Sequence, residues 1–200
     1  MEILERSFYS RDTVVVAQEL IGKIIVRADG LRMMSGRIVE TEAYGGADDP
    51  ASHAYRKKTE RNKAMFQDVG HAYIYFIYGM HFNLNIVARD HHAQAGGVLI
   101  RAIEPLEGLD HMRELRGQQD VYALASGPGK VAQAYGITKK LYGCDVTKKG
   151  ELYVMADEYV PHIAATSRIG IRVGQEKVWR FLDSGTDFVS RGRVGKNAAG

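Results

Sequence analysis

The chain has 200 residues, 45% of them hydrophobic and 26% charged, with a formal net charge of +3 and a pI near 8.9. That is the length of one domain with a substantial core and the composition of a soluble globular protein, which excludes disorder away from the ends. The single cysteine, Cys144, excludes an intrachain disulfide framework and a cysteine-rich zinc site, and it fits a reducing compartment. No apolar run has the length of a membrane span, and the first residues lack the basic-then-apolar order of a signal peptide, so an intracellular protein is expected.

In chain order, residues 12–20 predict a first helix, with Ser10 as its cap and Gly22 as its stop. Residues 23–26 and 35–43 predict strands, and 48–58 carry turn residues and charge without a period, as a loop does. Residues 59–65 predict a short helix. Residues 71–78 and 82–88 predict two strands joined by a tight turn at Gly79-Met80-His81, and 98–103 another strand. Pro105 is expected to start a helix carrying Leu106, Leu109, Met112 and Leu115 and ending at Gly117. Ser126-Gly-Pro-Gly-Lys130 opens a further helix that stops at Gly136. Residues 151–155, 169–173 and 178–182 predict strands, and 195–200 a frayed tail. Strands dominate and neighbour one another through short turns. The expected fold is therefore a single mixed α/β domain over residues 1–194, built on a largely antiparallel, curved sheet with flanking helices and a protruding β-hairpin. The regular strand–helix alternation of a doubly wound sheet is missing.

Charge is unevenly spread. Residues 55–63 carry five positive charges and one negative; residues 160–200 carry seven positive and three negative; residues 37–49 carry one positive against Glu40, Glu42, Asp48 and Asp49. Basic flanks around an acidic, aromatic centre suit a protein that holds a polyanion and performs acid–base chemistry between them, although solvated charged loops give the same pattern.

In the strand at 35–43, alternation places Ile38, Glu40, Glu42 and Tyr44 on one face. Two carboxylates there need partners or a wet pocket. Either a polar surface strand or a pocket wall with a general base beside an aromatic platform satisfies the pattern. The hairpin Tyr73-Ile-Tyr-Phe-Ile-Tyr-Gly-Met-His-Phe82 puts Tyr78 and Met80 at a tip, the shape of a wedge that enters a base step, or of a tip packed on a loop. Lys130 and the backbone of the Ser-Gly-Pro-Gly-Lys segment suit a phosphate, without nucleotide P-loop spacing. Arg101 lies inside an apolar run and so requires an anionic partner, carboxylate or phosphate. His53, His81, His91 and His92 show no metal-ligand spacing, and neither a metal nor another cofactor is expected.

Taken in order, Gly36-Arg-Ile-Val-Glu-Thr-Glu-Ala-Tyr44, Tyr73-Ile-Tyr-Phe-Ile-Tyr-Gly-Met80, Leu99-Ile-Arg-Ala-Ile-Glu-Pro-Leu-Glu-Gly108, Ser126-Gly-Pro-Gly-Lys130 and Arg168-Ile-Gly-Ile171 resemble the alkyladenine (3-methyladenine) DNA glycosylases of the vertebrate-enzyme type, also present in bacteria. The segments span most of the chain. The resemblance implies a compact α/β domain and a monofunctional enzyme of base excision repair. Such an enzyme flips 3-methyladenine, 7-methylguanine or hypoxanthine from duplex DNA and hydrolyses the N-glycosidic bond. By motif, Glu42 looks like the base that activates water, with Arg101 and the main chain at Ile169 as further contacts to that water. Tyr44, His53 and Tyr75 look like the base pocket, and Asn85 like the residue that clashes with the guanine amino group. Tyr78 and Met80 resemble the inserted side chains, and Arg61, Lys130 and Gly170 are placed on the DNA backbone. Damaged double-stranded DNA is the implied partner, for a monomer that is cytoplasmic and nucleoid-associated if bacterial. Gly46, Pro50, His81 and the Asp183-Ser-Gly-Thr segment depart from the family pattern, which bears on lesion range and DNA contacts.

Two other readings remain. A non-catalytic nucleic-acid-binding module of formyltransferase-like type has no need of Glu42 with Arg101. A hydrolase of free nucleosides has no need of a hairpin wedge or basic flanks.

Overall fold

The computed structural model describes residues 2–77 and 81–190. The chain enters through a single helical turn, α1 (Arg6–Tyr9), and a second helix, α2 (Thr13–Glu19). The cap of α2 is Asp12, not Ser10: its Oδ1 accepts from the N–H groups of Val14 and Val15 at 2.9 and 3.1 Å. A carboxylate one position ahead of the helix satisfies two otherwise orphaned donors, which Ser10 is too far back to reach. Gly22, at φ +88°, then turns the chain into β1 (Ile24–Asp29) and the hairpin partner β2 (Arg32–Tyr44).

β2 is the strand on which the molecule is organised. Its first half, Arg32–Arg37, pairs with β1, and Glu40–Glu42 pair on that same edge with β8 (Arg180–Asp183). On the other edge β2 pairs with β5 (Gly97–Glu107) along most of its length. The hairpin β3 (Ala72–Ile77) and β4 (His81–Val87) adds to β5, while β6 (Leu152–Met155) adds to β1 and β7 (Ile163–Thr166) to β8. All pairings are antiparallel, and the eight strands form a curled sheet of order β3-β4-β5-β2-β1-β6 with β8 and β7 branching from β2. The result is one compact mixed α/β domain.

The β2–β5 register slips between Ile38 and Glu40 and again between Glu40 and Thr41, leaving Val39 and Arg101 without a partner across the pair. Bulges of this kind re-aim side chains. Ile38, which strict alternation groups with the two carboxylates, packs instead in the main apolar core, as do Ala43 and Ile100. Glu40, Glu42 and Arg101 turn toward one another.

Pro105 does not open a helix. It lies in β5 opposite Gly36, beside another register slip, the kind of strand position that tolerates a residue without an N–H. Gly36 is required there because a Cβ would collide with the Tyr135 hydroxyl and Ile103. The helix begins after Gly108 as α3 (Leu109–Arg116), buries Met112, and ends at Gly117 with φ +58°. α4 (Val121–Leu124) and α5 (Pro128–Ala134) follow. Residues 59–65 give only a 3-10 turn at Lys63–Phe66. Residues 169–173 form bends rather than a strand, since Gly170 sits at φ +77° and the N–H of Ile169 is committed elsewhere. β7, α1 and α4 carry too few residues for a readable period. Among the described residues no helix is long and apolar enough to cross a membrane. The tail expected at 195–200 and the domain end at 194 lie outside the described residues.

Candidate active site

The branch point of the sheet carries a buried ionic cluster. Arg101, from β5, donates from Nε to Glu40 at 2.8 Å and from Nη1 to Glu42 at 3.2 Å. Both carboxylates have no exposed side-chain surface. Glu40 also accepts from Arg180 Nε of β8 (2.8 Å), from the Ser190 N–H (2.6 Å) and from the Ser190 hydroxyl (2.8 Å). Burial opposes ionisation of Glu40, but Arg101, Arg180 and the Ser190 N–H outweigh it and hold the carboxyl below its ordinary value. Arg101 is likewise desolvated, yet Glu42 and Glu40 hold its guanidinium protonated. Two charges of each sign meet here, so the like-charge repulsion of the carboxylates is cancelled locally.

Glu42 is held differently. Oε2 accepts from the Tyr44 hydroxyl at 2.8 Å and from Arg101, and among the described residues Oε1 accepts only from the backbone N–H of Ile169, at 2.7 Å. A carboxylate oxygen accommodates two donors, so Oε1 retains one acceptor position. Burial and the neighbouring Glu42 charge push the Tyr44 phenol upward, so Tyr44 acts as a neutral donor.

Against this cluster, with Arg101 in its wall, lies a cavity of about 400 Å³, within the range of small-molecule sites. Tyr44, His53, Tyr73 and Tyr75 form its aromatic walls, with Asn83, Asn85 and Leu99 from the inner strands and Ile169–Ile171 across the mouth. His53 meets Tyr75 edge to face at 4.5 Å, and its Nδ1 lies 3.0 Å from the Tyr73 hydroxyl. Desolvation in the wall, followed by the charge of Arg61, lowers the His53 pKa and favours a neutral imidazole. Asn83 Nδ2 donates to the Tyr75 hydroxyl and Asn85 Nδ2 to the Tyr73 carbonyl, at 3.0 and 3.1 Å, which fixes both tyrosines against β4. Behind Tyr44, the Arg168 guanidinium lies 4.8 Å from the ring centroid and makes a bidentate pair with Asp49 at 2.6 and 2.7 Å.

The model of the methylpurine-DNA glycosylase family matches residues 7–187. The chain belongs to the methylpurine-DNA glycosylase family. It is 47% identical over 197 residues to a protein of Chlorobaculum parvum, covering 98% of this chain and 94% of the relative. A Methanocella arvoryzae protein is 45% identical, with 96% and 97% covered. One from Carboxydothermus hydrogenoformans is 44% identical, with 94% and 99% covered. Each of the three is named "Putative 3-methyladenine DNA glycosylase".

In this methylpurine-DNA glycosylase family member, the residues singled out in the sequence largely converge. Tyr44, His53, Tyr75, Asn85, Arg101, Ile169 and Gly170 line one cavity, and Glu42 contacts three of them. Arg61 is exposed at the rim, 5.6 Å from the Tyr75 ring centroid, and Lys130 is exposed one residue beyond Gly129, which lines the cavity. Tyr78 and Met80 lie outside the described residues. Arg168 and Arg180 are not available as surface charge, since both are buried in ion pairs; the basic character of the C-terminal stretch is weaker at the surface than its composition suggests. The anionic partner that Arg101 requires is a pair of carboxylates. Sequence reasoning missed Arg180, Asp49, Tyr73 and Asn83. Arg180 sits in Val178-Trp-Arg-Phe-Leu182, an arginine in an apolar run, and carries the same signal as Arg101.

Proposed function

We propose that this chain is a monofunctional DNA glycosylase that extrudes a damaged purine into the aromatic cavity and hydrolyses its N-glycosidic bond. The observation that carries this reading is Glu42. Three donors that line the cavity, Tyr44, Arg101 and Ile169, immobilise its carboxylate directly behind the cavity wall, and among the described residues one acceptor position is left on Oε1.

A base within a duplex is inaccessible to such a cavity, so the target nucleotide has to leave the stack. Stacking against Tyr44, Tyr75 and His53 tolerates many base shapes and is favoured for a cationic alkylpurine by the electron-rich ring faces. Water bound at Glu42 attacks the anomeric carbon; the bond to the purine nitrogen breaks, and its electron pair leaves with the base. Glu42 accepts the proton of the water and stabilises positive charge on the sugar as the bond lengthens. Alkylation at N3 or N7 makes the purine a neutral leaving group once the bond breaks, so 3-methyladenine and 7-methylguanine suit the site directly. Hypoxanthine needs a proton as well. Asn85, at the cavity wall, opposes the guanine amino group by a clash, a penalty that the labile glycosidic bond of cationic 7-methylguanine offsets and that of unmodified guanine does not.

The cations Arg56, Lys57, Lys58 and Arg61 are exposed in the segment that follows His53, Arg61 lying over the Tyr75 ring, and exposed Lys130 is next to Gly129, which with Gly170 lines the cavity. These groups hold the phosphate backbone, with Tyr78 and Met80 filling the vacated stack. No lysine is among the described residues that line the cavity. The amine that a lyase needs for a Schiff base is therefore supplied by none of them.

The test is incubation of the protein with duplex DNA carrying 3-methyladenine. Free base and an intact strand that breaks only on alkali treatment are expected, with no borohydride-trapped adduct. Tight binding without base release favours the non-catalytic module, and release from free nucleosides alone favours the nucleoside hydrolase.

A further inference from the structure

Glu40 takes no part in the reaction just described, yet it binds the same guanidinium as Glu42. We infer that Glu40 is a positioning residue that sets the reactivity of Glu42 through Arg101. This inference rests on the glycosylase reading above.

The geometry separates the two carboxylates. Glu40 accepts from four donors: Arg101, Arg180, and the N–H and hydroxyl of Ser190. Three of the four fall on Oε1 and one on Oε2, and neither Arg180 nor Ser190 is among the residues lining the cavity, so Glu40 is held on the side away from it. Glu42 accepts from three donors, Tyr44, Arg101 and Ile169, all of which line the cavity. The shorter contact of Arg101, 2.8 Å, goes to Glu40, and the longer, 3.2 Å, to Glu42. Glu40 thus fixes the Nε edge of the guanidinium, which aims Nη1 at Glu42, and it shares a positive charge that would otherwise act on Glu42 alone. An undivided cation beside a general base stabilises its carboxylate form and weakens it as a proton acceptor.

Among the described residues, the charged and titratable groups around Glu42 are few. β2 supplies Glu40 and Tyr44, β5 supplies Arg101, β3 supplies Tyr75, and the segment after β7 supplies Arg168 and the Ile169 N–H; Arg180 of β8 acts through Glu40. Two of these carry substitutions of opposite predicted sign. Glu40→Gln removes a negative neighbour and leaves Arg101 to Glu42. Arg180→Gln removes a competing cation from Glu40 and draws Arg101 toward it.

The experiment is the single-turnover rate of 3-methyladenine release against pH for wild type, Glu40→Gln and Arg180→Gln, with lesion-DNA affinity and melting temperature measured alongside. Glu40→Gln is expected to lower the rate at neutral pH by roughly tenfold or more while affinity stays within about threefold, and to move the acid limb of the profile to lower pH. Arg180→Gln is expected to move that limb to higher pH. Where Glu40→Gln does not fold, the charge-balanced double variant E40Q/R180M replaces it with the same expected sign. Acid limbs that coincide with wild type, with rates lowered only in proportion to lost folded protein, overturn the inference and leave Glu40 a purely structural residue. Failure of wild type itself to release base refutes the underlying reading instead.

Discussion

The backbone N–H of Ile169 lies 2.7 Å from Oε1 of Glu42, a residue 127 positions earlier in the chain. Gly170, immediately after it, sits at φ +77° with open space where a Cβ would be. The turn that delivers the N–H thus depends on a backbone conformation rather than on packing. Gly170→Ala is expected to cost about 1 kcal/mol of stability from the left-handed conformation and to lower the single-turnover rate as the turn relaxes. Melting curves and rates measured on the same preparation test this; a fall in melting temperature with an unchanged rate argues that the turn does not position Glu42.

Arg168 and Asp49 form a pair with no exposed side-chain surface on either partner. Arg168→Met leaves Asp49 buried and uncompensated, at a cost of about 3–5 kcal/mol. For a chain of this size the melting temperature should drop by roughly 2–4 °C per kcal/mol. Because Arg168 also backs the Tyr44 ring, lesion-DNA affinity should weaken in the fraction that stays folded. A stability within about 1 kcal/mol of wild type contradicts the assignment.

Much of this arrangement was legible in the sequence, and the reasons differ by residue. The period-two pattern over 35–43 found the strand and set Glu42 beside Tyr44, because alternation holds after the register slip. It misplaced Ile38, because a bulge shifts the phase and leaves no compositional mark. Arg101 announced a buried anion, since an arginine in an apolar run needs one. Asp49 gave no such notice: its partner lies 119 residues away and only the fold brings them together. Pro105 was ambiguous in principle, because the same missing N–H suits a helix start and a bulged strand. Residues 169–173 looked like a strand because three apolar side chains outweighed one glycine, whose positive φ the sequence does not display.

Stability should fall in acid. Glu40 and Asp49 both titrate below their ordinary values of 4.5 and 3.8 in the folded chain, so each stabilises the fold fully above those values. The contribution is lost as pH falls through the lower folded values, where both states bind the proton. Denaturation midpoints measured from pH 7 to pH 2 should decline below about pH 4.5, and more shallowly in Glu40→Gln, which lacks one of the two groups. Equal slopes in the two proteins contradict a depressed Glu40.

The aromatic walls carry binding rather than proton transfer. Tyr75→Ala removes the ring that His53 meets edge to face and that Asn83 holds through its hydroxyl. Loss of one stacking surface is worth about 1–3 kcal/mol, so lesion-DNA affinity should fall roughly tenfold to a hundredfold while undamaged duplex binds as before. Competition binding with paired lesion and control duplexes reads this directly; equal losses on both duplexes place Tyr75 in general DNA binding instead.

The most direct measurement is single-turnover base release from 3-methyladenine duplex by wild type and Glu42→Gln, with lesion binding measured in parallel. The amide keeps the shape of the side chain and removes its basicity. Lesion affinity within a few fold of wild type, with release slowed at least about a hundredfold, is the predicted result. Release by Glu42→Gln at close to the wild-type rate contradicts the account and moves the general base elsewhere.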